Sequence, residues 1–120
     1  MRCSAARCFR PTRESLERLG ELFVPDAVYD MRASGMGVFD GMEAISAAAA
    51  RMNASGRAPR AHFITNIIAT ETGDGTASAR SRCLMIMHDG SLHAVDYADE
   101  LRRHDGRWLI SRRLITPIGE

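Results

Sequence analysis

From residue 61 onward the hydrophobic pattern repeats every two residues, and three glycine-bearing turns divide it. A period of two is that of an extended chain showing alternate side chains to opposite faces. His62, Ile64, Asn66 and Ile68 fall on one side of the first run, and Phe63, Thr65, Ile67 and Ala69 on the other. Gly73–Asp74–Gly75, Asp89–Gly90 and Asp105–Gly106 each carry the residues that a tight hairpin needs. The second half of the chain therefore predicts four strands joined by hairpins, at about 76–88, 92–103 and 108–116 after the first. In the second of these, Ala77, Ala79, Ser81, Cys83, Met85 and Met87 share one face, and Arg80, Arg82, Leu84 and Ile86 the other.

The first half has a helical period. Thr12 is placed to cap a helix whose apolar face holds Leu16, Leu19, Leu22 and Phe23, and Pro25 is expected to end it. Ala27–Arg32 alternates like a strand, and Gly35 and Gly37 loosen the chain into a loop. Asp40 with Glu43 three residues on has the form of a capping box for a second helix. Met42, Ile45, Ala49 and Met52 are its buried stripe, and Gly56 its stop. Residues 1–11 read as a short or truncated first helix interrupted at Pro11. Helices followed by consecutive hairpins define an α+β class with an antiparallel sheet. The 120 residues fit one domain, taken as 1–120.

Composition excludes several function classes. The net charge is +1 with no run of like charges, which gives no nucleic-acid tract and no membrane-surface helix. All sixteen basic residues are arginine, so no lysine side chain exists for Schiff-base chemistry. Cys3, Cys8 and Cys83 form neither a disulfide framework nor a zinc spacing, and a reducing cytoplasm is the expected location. No metal and no cofactor are expected. His88, His93 and His104 stand beside hairpin turns and are expected at the surface.

Four segments carry a resemblance. LFVPDAVYD (Leu22–Asp30), FDGMEAI (Phe39–Ile45), HFITN (His62–Asn66) and YADELRRHDGRWLISRR (Tyr97–Arg113) follow one another in the order found in SnoaL-like domains of the nuclear-transport-factor-2-like superfamily. The likeness covers about residues 16–116. It implies a cone in which a curved antiparallel sheet wraps N-terminal helices around an apolar pocket. It also implies cofactor-free dehydratase, isomerase or cyclase chemistry on a cyclic polyketide- or steroid-like ketone or alcohol, with a homodimer as the assembly. The alternative is a non-catalytic binder of small apolar ring-containing ligands, or a dimerisation module.

The resemblance assigns roles residue by residue. His62 matches the pocket histidine of dehydratase-type members and would be the general acid/base; otherwise it is a strand-end histidine satisfied by the backbone. Tyr29 and Tyr97 would hold or polarise a substrate oxygen, or else are core aromatics with satisfied hydroxyls. Asp99 would orient His62, or pair with an arginine such as Arg112. Asn66 would orient substrate, or satisfy a strand neighbour. Met31 and Met85 would line the pocket, Met31 standing where isomerases carry a carboxylate base. Asp30 would enter the pocket only through a bulge and otherwise faces outward beside Arg32. The tyrosine and aspartate that such domains often carry late in their first helix fall here at Pro11 and Thr12, which can serve as neither acid nor base.

Overall fold

Residues 18–119 are described in a computed structural model of the chain. The expected Thr12 cap, Leu16 and the first turn of the first helix lie outside them. Within them, the chain forms a 3-10 turn at Arg18–Glu21, strand β1 at Phe23–Asp30, a second 3-10 turn at Arg32–Ser34 and strand β2 at Val38–Asp40. Helix α1 spans Met42–Ala54, and four long strands follow: β3 (Ala61–Gly73), β4 (Thr76–Ile86), β5 (Leu92–His104) and β6 (Arg107–Pro117). One six-stranded sheet has the order β2-β1-β6-β5-β4-β3. The α+β class is as expected, with one helix among the described residues beside a curved, open sheet. Four of the five strand pairs are antiparallel, and β1 with β6 is parallel, which makes the sheet mixed.

Three local expectations change. Phe23 and Pro25 belong to β1, so the described chain reaches its first strand sooner than the helical period suggested. Proline has no N–H to give a ladder. The β1–β6 register shifts between Phe23 and Val28, and that irregularity accommodates Pro25. Asp40 lies in β2 and caps nothing; the N-cap of α1 is Gly41, with φ of 91°, and it makes no side-chain capping bond. Gly56, with φ of 73°, does stand just past the end of α1.

Two apolar clusters hold the fold. Phe23, Val24, Ala27, Ile45 and Leu109 pack where α1 meets β1. Cys83, Val95, Tyr97 and Ile115 pack on the inner face of β4, β5 and β6. Tyr29 touches both clusters, and its ring meets Phe23 edge-on with 6.0 Å between centroids. Leu109 is buried in the first cluster. The register shift between Glu100 and Leu101 re-aims that part of β6.

Asp30 keeps the outward alternation and sits on the face opposite Tyr29. It is 1% exposed because two guanidiniums cover it. Arg32 donates from its backbone N–H, Nε and Nη2, and Arg112 donates from Nη2 at 3.2 Å. The side-chain bonds from Arg32, then its backbone N–H, lower the Asp30 pKa to about 2. An aspartate in an unfolded chain titrates near ~3.9. The depressed folded value means that this contribution is complete above about pH 4 and is lost as pH falls through about 2. Asp30→Asn should therefore melt below the parent at neutral pH. The gap between the two should close on acidification from about pH 4 to about pH 2. A gap that stays constant across that window in thermal melts would remove the charge from the account.

Candidate functional site

The inner face is read from the strand register. Tyr29 on β1 stands opposite Arg113 on β6, and Arg113 stands opposite Asp99 on β5. One step along the same face, Ile115 stands opposite Tyr97. Tyr29, Tyr97 and Asp99 thus meet around an arginine that the sequence reading did not single out. Arg113 donates from Nε and Nη2 to the two carboxylate oxygens of Asp99, at 2.8 and 2.9 Å. Its guanidinium carbon lies 4.2 Å from the Tyr97 ring centroid and 5.8 Å from that of Phe23. A paired fork laid on an aromatic face is held in one orientation.

Asp99 therefore pairs with an arginine, but with Arg113 in place of the expected Arg112. Arg112 points to the other face and bonds Asp30. The two arginines are adjacent, so period two sends them to opposite sides. The shift between Glu100 and Leu101 hides which one faces inward when residues are counted from the Asp105–Gly106 turn.

Burial raises the pKa of both phenols. For Tyr29 the nearby Arg113 charge opposes the rise. For Tyr97 burial is joined by the neighbouring Tyr29 and by Cys83. Both remain protonated near neutrality and able to donate a hydrogen bond.

His62 occupies the same face at the far end of the sheet. It stands opposite Met85 on β4, which stands opposite His93 on β5. The imidazole is exposed on one side, yet neighbours strip enough water from it to lower its pKa. It is therefore largely neutral near pH 7 and can accept a proton. Tyr97 is four residues along β5 from His93, and Asp99 six, or ~13 and ~20 Å of strand. No hydrogen bond joins His62 to Asp99, whose oxygens are occupied by Arg113. The histidine–carboxylate dyad is thus not formed. His93 is exposed as expected, but it shares a row with His62, a relation visible only in the register.

Met31 and Met85 pack against the inner cluster with Tyr29. Asn66 does not keep the place that alternation gave it. It has φ of 54° and sits where the β3–β4 register shifts between Thr65 and Ile68. Asparagine tolerates this left-handed backbone better than a branched residue would. Asn66 lines an open depression of about 520 Å³ with Ile67, Ile68, Arg80, Ser81, Arg82 and Asp96. A second cavity of about 180 Å³ lies by Glu71, Arg103 and Trp108. Neither is lined by His62, Tyr29, Tyr97 or Asp99. Among the described residues the one helix, α1, packs chiefly on β1 and β2, and neither depression encloses the residues expected to line an apolar pocket.

A helix packed on one end of a curved, open sheet, with polar residues on the sheet's inner face, defines a cystatin-like α+β protein. A family model for the SnoaL-like domain matches residues 13–114, and the chain belongs to that family. No curated protein matches it. Among solved structures, it is similar to a candidate scytalone dehydratase from Novosphingobium aromaticivorans, with 21% identity and a TM-score of 0.74 over 96% of this chain and 76% of that one. It is similar to Aln2 from a Streptomyces species, with 22% identity and a TM-score of 0.73 over 94% and 81%. It is also similar to a type 2 hexachlorocyclohexane dehydrochlorinase, with 21% identity and a TM-score of 0.69 over 94% and 82%. At these identities the likeness establishes the fold. No helix among the described residues is long and apolar enough to cross a membrane.

Proposed function

We propose that the chain is a cofactor-free enzyme that moves a proton on a cyclic, polyketide-like hydroxyketone, with loss of water as the net reaction. The observation that carries this reading is Arg113, locked on Asp99 and stacked on Tyr97 beside Tyr29. A fixed cation next to two protonated phenols is a preorganised environment for an oxygen that gains negative charge. The neutral imidazole of His62 supplies the base.

In the proposed step His62 removes a proton from the carbon beside the ketone, and the enolate oxygen is held by Tyr29 and Tyr97. The β-hydroxyl then leaves as the carbonyl re-forms, taking a proton from the imidazolium and departing as water. The backbones of His62 and Tyr97 are roughly 16 Å apart by strand count and spacing. The imidazole and the phenols must lean toward one another across that distance, because the carbon that loses the proton and the ketone oxygen are neighbouring positions of one substrate. Likeness to a candidate scytalone dehydratase and to a dehydrochlorinase supports an elimination over a non-catalytic role.

The test is incubation with a panel of polycyclic β-hydroxyketones in deuterated buffer, followed by mass spectrometry. Deuterium gain at the carbon beside the ketone and loss of one water, both proportional to protein concentration, are expected. Exchange no faster than in buffer across the panel would end the proposal.

Self-association through the outer face belongs to the same reading. Phe63, Leu84, Ile68 and Leu114 are exposed there and lie on the sheet face opposite Tyr97. Light scattering after size exclusion should give the mass of two chains, and a single-chain mass at every loading concentration would remove the dimer.

A further inference from the structure

The row His62–Met85–His93 crosses three adjacent strands in direct register. Directly opposed residues share a face, and their β-carbons stand ~5 Å apart. The two histidine backbones are therefore roughly 10 Å apart, with the methionine between them. Both imidazoles are exposed, and Met85 is half-buried. Among the described residues, no group of three or more His, Cys, Asp or Glu side chains gathers to hold a metal. That leaves the thioether to complete this row.

We infer that His62, Met85 and His93 form a three-coordinate site for a soft monovalent cation, copper(I) or silver(I). Two imidazole nitrogens and one thioether sulfur offer no negative charge, so the set is a poor match for a hard ion that needs carboxylates. Thioether with imidazole is the combination that soft copper(I) selects. The geometry is favourable for a simple reason. An ion above Met85 is one strand spacing from each histidine, within reach of a ring turned inward. The unbranched Met85 side chain has the rotamer freedom to swing its sulfur up from the inner cluster. Histidines 31 residues apart in sequence have no ligand spacing, which is why register and not motif discloses the site. The inference needs only this ligand set and does not depend on His62 carrying protons in catalysis.

The test uses the full chain carrying Cys3→Ser and Cys8→Ser, so that those two thiols do not compete. Copper(I) is presented anaerobically as its bicinchoninate complex, and silver(I) is titrated in parallel with detection by NMR. One ion per chain is expected, with the ring signals of His62 and His93 and the Met85 methyl signal all moving in the same titration. His93→Asn and Met85→Leu, at an exposed strand position and by a volume-conserving change, should each weaken binding at least tenfold while the spectrum stays folded. Zinc(II) should fail to displace the ion. Failure of the parent to take copper(I) would overturn the site. Undiminished binding in either variant would do the same, as would loss of binding only on Cys83→Ala.

Discussion

Replacing Asp99 by alanine is expected to destabilise the chain by about 3 kcal/mol, read as a lower urea midpoint with an unchanged slope. Asp99 is 8% and Arg113 20% exposed at the side chain. The substitution removes both carboxylate acceptors and leaves a guanidinium stacked on the buried Tyr97 with no counter-charge. Breaking a buried pair from one side costs ~3–5 kcal/mol, because the remaining charge is still desolvated. Arg113 keeps some contact with water, which screens part of the loss and favours the low end of that range. The double replacement Asp99→Leu with Arg113→Met should recover most of the stability, since an apolar pair of similar volume removes the charge as well as its partner. The same double variant should lose activity, because the fixed cation beside the phenols is gone. A loss below about 1 kcal/mol in Asp99→Ala would mean that the pair is effectively solvated. The rigid oxygen-binding corner would then lose its physical basis.

The long strands were legible because each of them states its boundaries twice, through alternation and through a glycine turn. Asp105 and Gly106 have φ of 50° and 76°, the doubly left-handed turn that Asp-Gly favours. Helix α1 was legible from Met42, Ile45, Ala49 and Met52. Its cap was not, because the aspartate at position 40 was taken up by a short strand. The stretch Leu19–Phe23 misled for a related reason. Leu19, Leu22 and Phe23 continue the helical spacing of Leu16, but Phe23 and Val24 are needed in the core beside Ala27 and Leu109, and burial overrides local preference.

In the site, Tyr29 and Tyr97 were expected at the pocket from the resemblance, and both lie on the inner face of the sheet. What failed, at Asn66 and at Arg112, depends on a bulge. Asn66 at the β3 irregularity and the choice between Arg112 and Arg113 after the β6 irregularity each turn on one extra residue, which reverses the faces. No alternation count detects such an insertion. The row joining His62 to His93 was equally out of reach, since it is set by how two hairpins align and not by any residue near either histidine.

Substituting His62 by alanine should remove ~10²–10⁴-fold of the deuterium exchange at the carbon beside the ketone. The melting temperature should hold nearly steady, because the ring is exposed at the head of the edge strand β3 and packs in neither apolar cluster. That combination separates a chemical role from a structural one. Tyr97→Phe provides the contrast: it keeps the ring under Arg113 and removes one donor to the enolate oxygen, so it should lower turnover by less than the loss of the base. If His62→Ala retains full exchange while Tyr97→Phe loses it, proton removal belongs to another group near the Arg113 corner, and the long reach from β3 is unnecessary. If His62→Ala unfolds the chain, the imidazole is structural and its exposure misleads. Full loss of exchange in a folded His62→Ala, with partial loss in Tyr97→Phe, is the pattern that requires both ends of the inner face to act on one substrate.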